Sequence, residues 1–159
     1  MQDISEFRGS NYYLSNFYEV PFVYNGIRYR SVENAFQAAK VFDRDVQLKM
    51  SQVSPSDAKH MGRRVSLRPD WEDVKVGIMK DIVRCKFEQH PDLADKLVST
   101  GNCELTEGNT WNDRYWGVDL RTGRGANHLG QILMELREEF AIERGVSLKS
   151  KDGADLDFN

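Results

Sequence analysis

A tight turn between two short β-prone runs constrains the fold of this chain more than any other feature. Asn25-Gly26 separates residues 20–24 from residues 27–30, and this pair accepts the positive φ that both centres of a type I′ turn require. The sequence therefore predicts an antiparallel β-hairpin. From Ser31 onward the apolar residues recur at i, i+3, i+4 and i+7, which predicts a helix over residues 31–42 with Ser31 as its N-cap.

Most of the remaining chain is predicted to be helical. Ser54-Pro55 combines a capping residue with a proline at the first helical position, and Pro91 forces a break between two helices. We predict further helices over residues 54–62, 70–90, 91–100 and 127–143, and one strand over residues 104–107. The predicted fold class is mainly helical α+β with a small N-terminal β-hairpin. One domain over residues 1–145 and a flexible tail over residues 146–159 are expected.

Charge and hydropathy exclude several classes of protein. The 159 residues carry 22 Lys and Arg against 25 Asp and Glu, a net charge of −3. Such a chain is a poor general binder of polyanions, because non-specific affinity for nucleic acid needs many basic residues. Its apolar runs are all shorter than the roughly 18 residues of a membrane span. With no secretory signal pattern at its start and only two cysteines, the chain is expected to be cytoplasmic and without a membrane partner.

A polar stripe borders the apolar face of the predicted helix at residues 31–42. Glu33, Gln37 and Lys40 fall on one side of that helix at 3.6 residues per turn. An acid, an amide and a base at the edge of a core can hold a polar ligand. A solvated helix face explains the same residues and is the simpler interpretation of them alone.

Two lysines of the longest predicted helix fall inside its apolar arc. Lys75 and Lys86 lie three turns apart and close in angle. A buried ammonium group is costly without a partner, so two interpretations stay open. Either the side chains reach the solvent along apolar surface, or they bind an anion such as phosphate.

The loop over residues 106–117 concentrates acids, amides and aromatic rings. Such rings can stack on a base, or they can pin a long loop to the core. The glycine-rich run that follows, residues 123–130, is neither a dinucleotide fingerprint nor a P-loop, although its N–H groups could meet phosphate at a helix N-terminus. The three histidines lack metal-ligand spacing with each other or with the cysteines, which disfavours a metal site.

Several motifs, taken in order, resemble the NADAR superfamily and especially its YbiA-like N-glycosidases. The resemblance extends from Phe7 to about Glu143 and is carried by Phe7-Arg8, Leu14-Ser15-Asn16-Phe17 and the segments 31–40, 58–63, 70–75, 86–90, 112–117 and 127–137. It implies an enzyme that hydrolyses the N-glycosidic bond between a ribose and a base-like nitrogen. The implied substrates are phosphoribosylated pyrimidine intermediates of riboflavin synthesis, and no cofactor is implied.

Two other functions are compatible with the same resemblance. One is removal of ADP-ribose from guanine in nucleic acid, as in an antitoxin or phage-defence protein. The other is a non-catalytic module that binds ADP-ribose.

The resemblance also assigns residues to the expected site. It implies that Glu33 and Asp113 are the catalytic carboxylates and converge on one sugar carbon. One would stabilise the oxocarbenium-like sugar and position water while the other manages the proton, and either residue can take either role. Trp71 and Trp116 would stack on the base or exclude water, and phosphate would be held by Lys75, Lys86 and Arg8. The expected substrate-binding residues are Arg8, Asn16, Phe17, Gln37, Lys40, Trp71, Lys75, Lys86, Glu107, Trp116, Gly117 and Asn127.

Overall fold

The computed structural model describes residues 2–148 and is mainly helical, which confirms the predicted α+β class. The helices are a 3₁₀ helix at Gly9–Leu14, α1 at Val32–Ala38, α2 at Arg44–Gln52, α3 at Pro55–Gly62, α4 at Trp71–Gln89, α5 at Pro91–Ser99 and α6 at His128–Glu143. The strands are β1 at Phe22–Tyr24, β2 at Ile27–Tyr29, β3 at Gly108–Asn109 and β4 at Val118–Asp119. No helix among residues 2–148 is long and apolar enough to cross a membrane.

The chain divides into two compact units. The central unit is formed by residues 16–89, and the terminal unit is formed by residues 1–15 together with the chain from residue 90 onward. Leu148, within the predicted tail, is buried. Residues 149–159 of that tail lie outside the described residues, so the boundary at residue 145 stays a prediction.

The central unit begins with the predicted hairpin. Strands β1 and β2 pair antiparallel with Tyr24 opposite Ile27. Asn25 has φ 49° and Gly26 has φ 79°, which confirms the positive φ predicted for both centres of the turn. The side chain of Gln89 donates to the carbonyl of Val23 and accepts from its N–H, each at 2.8 Å. This pair of bonds attaches the hairpin to the last turn of α4.

Helix α1 is the buried centre of this unit and packs against α2, α3 and α4. The Ser31 hydroxyl accepts from the N–H of Asn34 at 3.2 Å, as predicted for an N-cap. The helix ends at Ala38 and not at Phe42, so the predicted end is wrong. Asp43 caps the next helix by accepting from the N–H groups of Asp45 and Val46, and the chain leaves the helical path before it in order to begin α2.

In the terminal unit, α5 packs on α6, and Leu97, Leu133 and Leu136 are fully buried there. The strand predicted over residues 104–107 is wrong. That segment makes a single bridge from Leu105 to Ile4, and the pairing begins one residue later, where β3 runs parallel to β4.

Candidate functional site

Glu33 is a buried carboxylate held in place from two directions. Its side chain lies in the first turn of α1, where a negative charge is favoured, and the residue is 7% exposed. Gln37 Nε2 donates to Glu33 Oε1 at 2.8 Å. The backbone N–H of Glu33 donates to the carbonyl of Asn16 at 3.0 Å. The predicted stripe is therefore a fixed part of the interior, and a solvated helix face is the wrong interpretation for Glu33 and Gln37.

Lys40 lies close enough to Glu33 and to three further cations for their charges to act on it. The pKa of Lys40 is lowered, first by burial and then by the positive charges of Arg63, Lys59 and Lys75, while the charge of Glu33 acts in the opposite direction. Lys59 lies in α3 and Lys75 lies in α4, while Lys40 and Arg63 follow the ends of α1 and α3. Cations gathered around one carboxylate can bind an anionic ligand next to a group that stabilises positive charge.

Two of the cations have defined contacts. Lys59 Nζ lies 5.6 Å from the centre of the Phe17 ring, and Phe17 follows the asparagine whose carbonyl holds Glu33. Lys75 Nζ lies 2.6 Å from Glu72 Oε2. The structure thus brings Asn16, Phe17, Gln37, Lys40 and Lys75 of the predicted set into the neighbourhood of Glu33.

Trp71 fixes α4 against α1. Its ring is buried, with its centre 5.0 Å from that of Phe36 and the two planes tilted by 50°. A ring with so little free face suits exclusion of water better than stacking on a base. Of the two predicted roles of Trp71, the structure therefore favours exclusion of water.

Lys86 differs from Lys75 in that it is 1% exposed. Its Nζ lies 5.5 Å from the centre of the Tyr18 ring, and burial lowers its pKa to about 7. The alternative in which this side chain reaches solvent is therefore wrong. Lys75, which is half-buried and ion-paired, fits that alternative better.

Asp113, in the terminal unit, organises the backbone of its own loop. Its Oδ1 accepts from the N–H groups of Tyr115 at 3.0 Å and Trp116 at 2.9 Å. The side chain of Asn109 bonds to the N–H and the carbonyl of Asp113, each at 2.9 Å. These contacts account for an oxygen acceptor at this position, which the side chain of either aspartate or asparagine can supply.

Three predicted binding residues build the same loop. Asn127 Oδ1 accepts from the N–H of Glu107 at 3.0 Å, and Asn127 Nδ2 donates to the carbonyl of Leu105 at 2.9 Å. A Cβ at position 117 would overlap Glu107 Oε2 and the Glu107 carbonyl, so only glycine fits there. Glu107 Oε2 also accepts from Asn109 Nδ2 at 3.1 Å.

The start of α6 is closed by this loop. The N–H groups of Asn127, His128 and Leu129 donate to the carbonyls of residues 117, 115 and 116 at 3.0–3.2 Å. The expectation that these N–H groups meet a phosphate is therefore wrong. The ring centre of Tyr115 lies 4.4 Å from that of His128 at the start of α6, which favours the interpretation that this ring pins the loop, whereas Trp111 is 60% exposed.

The side chain of Arg8 is 77% exposed, and its Nη2 lies 3.4 Å from Glu6 Oε2. Within residues 2–148, no three His, Cys, Asp or Glu side chains cluster in a way that could hold a metal ion.

Sequence reasoning missed Lys59 and Arg63. Both lie in the segment 58–63, which carries part of the family resemblance. A usable signal was the spacing of Lys59, Gly62 and Arg63 at i, i+3 and i+4, because a glycine between two cations allows a neighbouring helix to approach that face.

Residues 5–141 match the model of the NADAR domain. The chain is 44% identical to N-glycosidase YbiA of Escherichia coli (strain K12) over 133 residues, which cover 82% of each chain. It is 40% identical to a riboflavin biosynthesis protein of Vibrio vulnificus, over 80% of this chain and 35% of that protein. The NMR structure of the E. coli protein YbiA has a TM-score of 0.80 at 38% identity, covering 91% of this chain and 89% of that one.

Proposed function

Because the chain belongs to the NADAR domain family and is an N-glycosidase, we propose that it acts on a phosphoribosylated pyrimidine of riboflavin synthesis. The products are ribose 5-phosphate and the free base. The similarity to a riboflavin biosynthesis protein supports this substrate class. The observation that carries the proposal is the buried Glu33 carboxylate, fixed by Gln37 and surrounded by cations.

The chemistry follows from the charge that develops on the sugar. As the bond from the anomeric carbon to nitrogen breaks, the ribose gains oxocarbenium character. A carboxylate already fixed in position stabilises that charge without reorganising. Water adds its oxygen to the anomeric carbon, and a proton passes to the departing nitrogen. We propose Glu33 as the group that stabilises the sugar cation and orients the water.

The proton transfer is assigned to Asp113 as a proposal. Its support is the resemblance of its motif to that of the family, since its observed hydrogen bonds serve the loop. A carboxyl group in this role contributes typically 10²- to 10⁴-fold to the rate.

Turnover of two substrates side by side tests the proposed function. The protein is incubated with a phosphoribosylated pyrimidine intermediate and, separately, with an oligonucleotide that carries ADP-ribosylated guanine, and products are identified by mass spectrometry. We expect ribose 5-phosphate from the first substrate. Release of ADP-ribose from the second substrate alone would replace the proposed substrate class. Binding of ADP-ribose without any product would indicate a binding module.

A further inference from the structure

We propose that the face of α3 formed by Lys59 and Gly62, with Arg63 directly after it, is the phosphate-binding wall of the Glu33 site. This wall would set a preference for phosphorylated ribosides over dephosphorylated ones. The inference rests on the proposed function for the identity of the substrate. Its residues and contacts lie entirely within the central unit.

The contact between α3 and α1 places the wall. A Cβ at position 62 would overlap Gln37 Oε1, so the absence of a side chain at Gly62 lets the two helices meet at Gln37. Lys59 and Arg63 are four residues apart and therefore lie on the same side of the helix, and Lys59 is also one turn before Gly62. Glu33 and Lys40 lie one turn before and one turn after Gln37 on the facing helix and the turn that follows it.

Gln37 joins the contact between α3 and α1 to the Glu33 carboxylate. Its Nε2 donates to Glu33 Oε1 at 2.8 Å, and its Oε1 lies where a Cβ of Gly62 would stand. The residue is 5% exposed, so the packing of α3 fixes the amide that positions the carboxylate. The wall and the proposed catalytic acid are therefore parts of one packed arrangement.

The charge of the cluster fits a phosphate. The charges of Lys59, Arg63 and Lys75 act on Lys40. Of the four cations, Lys40 is offset by the charge of Glu33 and Lys75 by its ion pair with Glu72. The remaining two positive charges match the charge of a phosphate monoester, about −1.5 to −2 near neutral pH. Arg63 is exposed and Lys59 is half-buried, so both can turn toward an entering anion. The planar guanidinium of Arg63 can bind a phosphate through two parallel hydrogen bonds.

Binding of ribose 5-phosphate, measured by calorimetry, tests the wall without requiring turnover. The variants are Arg63→Gln and Lys59→Gln, and Arg64→Gln is the matched control because it removes the same charge from the adjacent exposed position. We expect each of the first two to weaken binding at least about tenfold, and the control to stay within about twofold. No binding by the wild-type protein, or equal binding by all three variants, would overturn the proposal.

Kinetics then separate this inference from the proposed function. With a phosphorylated riboside and its dephosphorylated form as substrates, Arg63→Gln should lower kcat/KM at least tenfold for the first and leave it unchanged for the second. An equal loss on both substrates would contradict a phosphate-specific role. Absence of turnover by the wild-type protein would refute the proposed function. The binding of ribose 5-phosphate, measured by calorimetry, would still show whether Lys59 and Arg63 bind phosphate.

Discussion

At the scale of single residues, the two acids expected to act on the substrate have different surroundings. The Glu33 carboxylate accepts from a side-chain amide and lies among cations. The Asp113 carboxylate accepts from two backbone N–H groups of its own loop. A substitution at Asp113 therefore changes both a charge and the loop, and the two effects need separate variants.

Asp113→Asn and Asp113→Ala separate these effects. Asparagine keeps an oxygen that can accept from Tyr115 and Trp116, so the free energy of unfolding should change by less than about 0.5 kcal/mol. Alanine removes that acceptor and should cost about 1–2 kcal/mol. If Asp113 transfers a proton, both variants lose at least about 100-fold in kcat. Full activity in Asp113→Asn would restrict this residue to its structural role. Urea unfolding and product release are the measurements.

Lys86 should make stability depend on pH in a defined direction. Burial lowers its pKa from 10.5 to about 7, so between these pH values the unfolded chain binds one more proton than the folded one. Stability from this residue therefore rises with pH across that interval, by at most about 1.4 kcal/mol per unit. Below pH 7 its contribution is constant.

The comparison of wild type with Lys86→Met isolates this effect, because other titrating groups are common to both proteins. The free energy of unfolding is measured with urea at several pH values from 6 to 10. The difference between wild type and variant should shift in favour of the wild type only above about pH 7. A difference that does not change with pH would contradict the buried, easily deprotonated lysine.

At the scale of secondary-structure elements, the close approach of α3 to α1 links stability to the site. Gly62 is where the two helices meet, and Gln37 is the side chain that a larger residue would displace. Because the displaced atoms are the end of a flexible side chain, the helices can stay together while the hydrogen bond to Glu33 is lost.

Gly62→Ala should therefore impair activity more than stability. Crowding costs about 1–3 kcal/mol, and the better helix propensity of alanine returns up to about 1 kcal/mol. We expect a net loss of at most about 3 kcal/mol in the free energy of unfolding, together with a drop of at least tenfold in kcat/KM as Gln37 releases Glu33.

Gly77→Ala is the matched control for this variant, since Gly77 also lies in a helix but has open space around its Cβ position. It should be slightly more stable than the wild type and equally active. Similar activity in the two variants would show that Gln37 does not position Glu33. Thermal unfolding and turnover, measured together, give both answers.

The elements that the sequence predicted well are those with a local signal. Ser54-Pro55 and Pro91 mark the starts of α3 and α5, and Asn25-Gly26 marks the hairpin turn. Helix α2 was missed because it has little apolar pattern and only Met50 and Ser51 are buried. The parallel pair of β3 and β4 was missed because two-residue strands leave no periodicity to detect.

The site was predictable only in part for a related reason. Glu33 and Gln37 share one helix, so their spacing predicted that they lie together. Lys59 and Arg63 reach the same neighbourhood only through the packing of α3 on α1, which the sequence does not encode locally. Asn127 is a second example, since its hydrogen bonds support the backbone of the loop, a role that its local sequence does not indicate.

At the scale of the whole molecule, the net charge of −3 contrasts with the positive cluster around Glu33. The molecule as a whole does not attract anions, so the proposed phosphorylated substrate would have to be recognised by these few side chains.

The proposed chemistry uses only carboxylates and cations of the chain. Dialysis against EDTA should therefore leave the rate of ribose release unchanged. A loss of activity that Mg²⁺ or Zn²⁺ restores would contradict this mechanism.

The most direct test of the account is single-turnover release of ribose 5-phosphate by Glu33→Gln, measured beside the wild type and Glu88→Gln, which removes the same charge from an exposed position of α4. Glutamine keeps an oxygen that can accept from Gln37, so folding and binding of ribose 5-phosphate should persist. The account predicts at least a hundredfold slower release in Glu33→Gln and no change in Glu88→Gln. Release at the wild-type rate by a folded Glu33→Gln would contradict it.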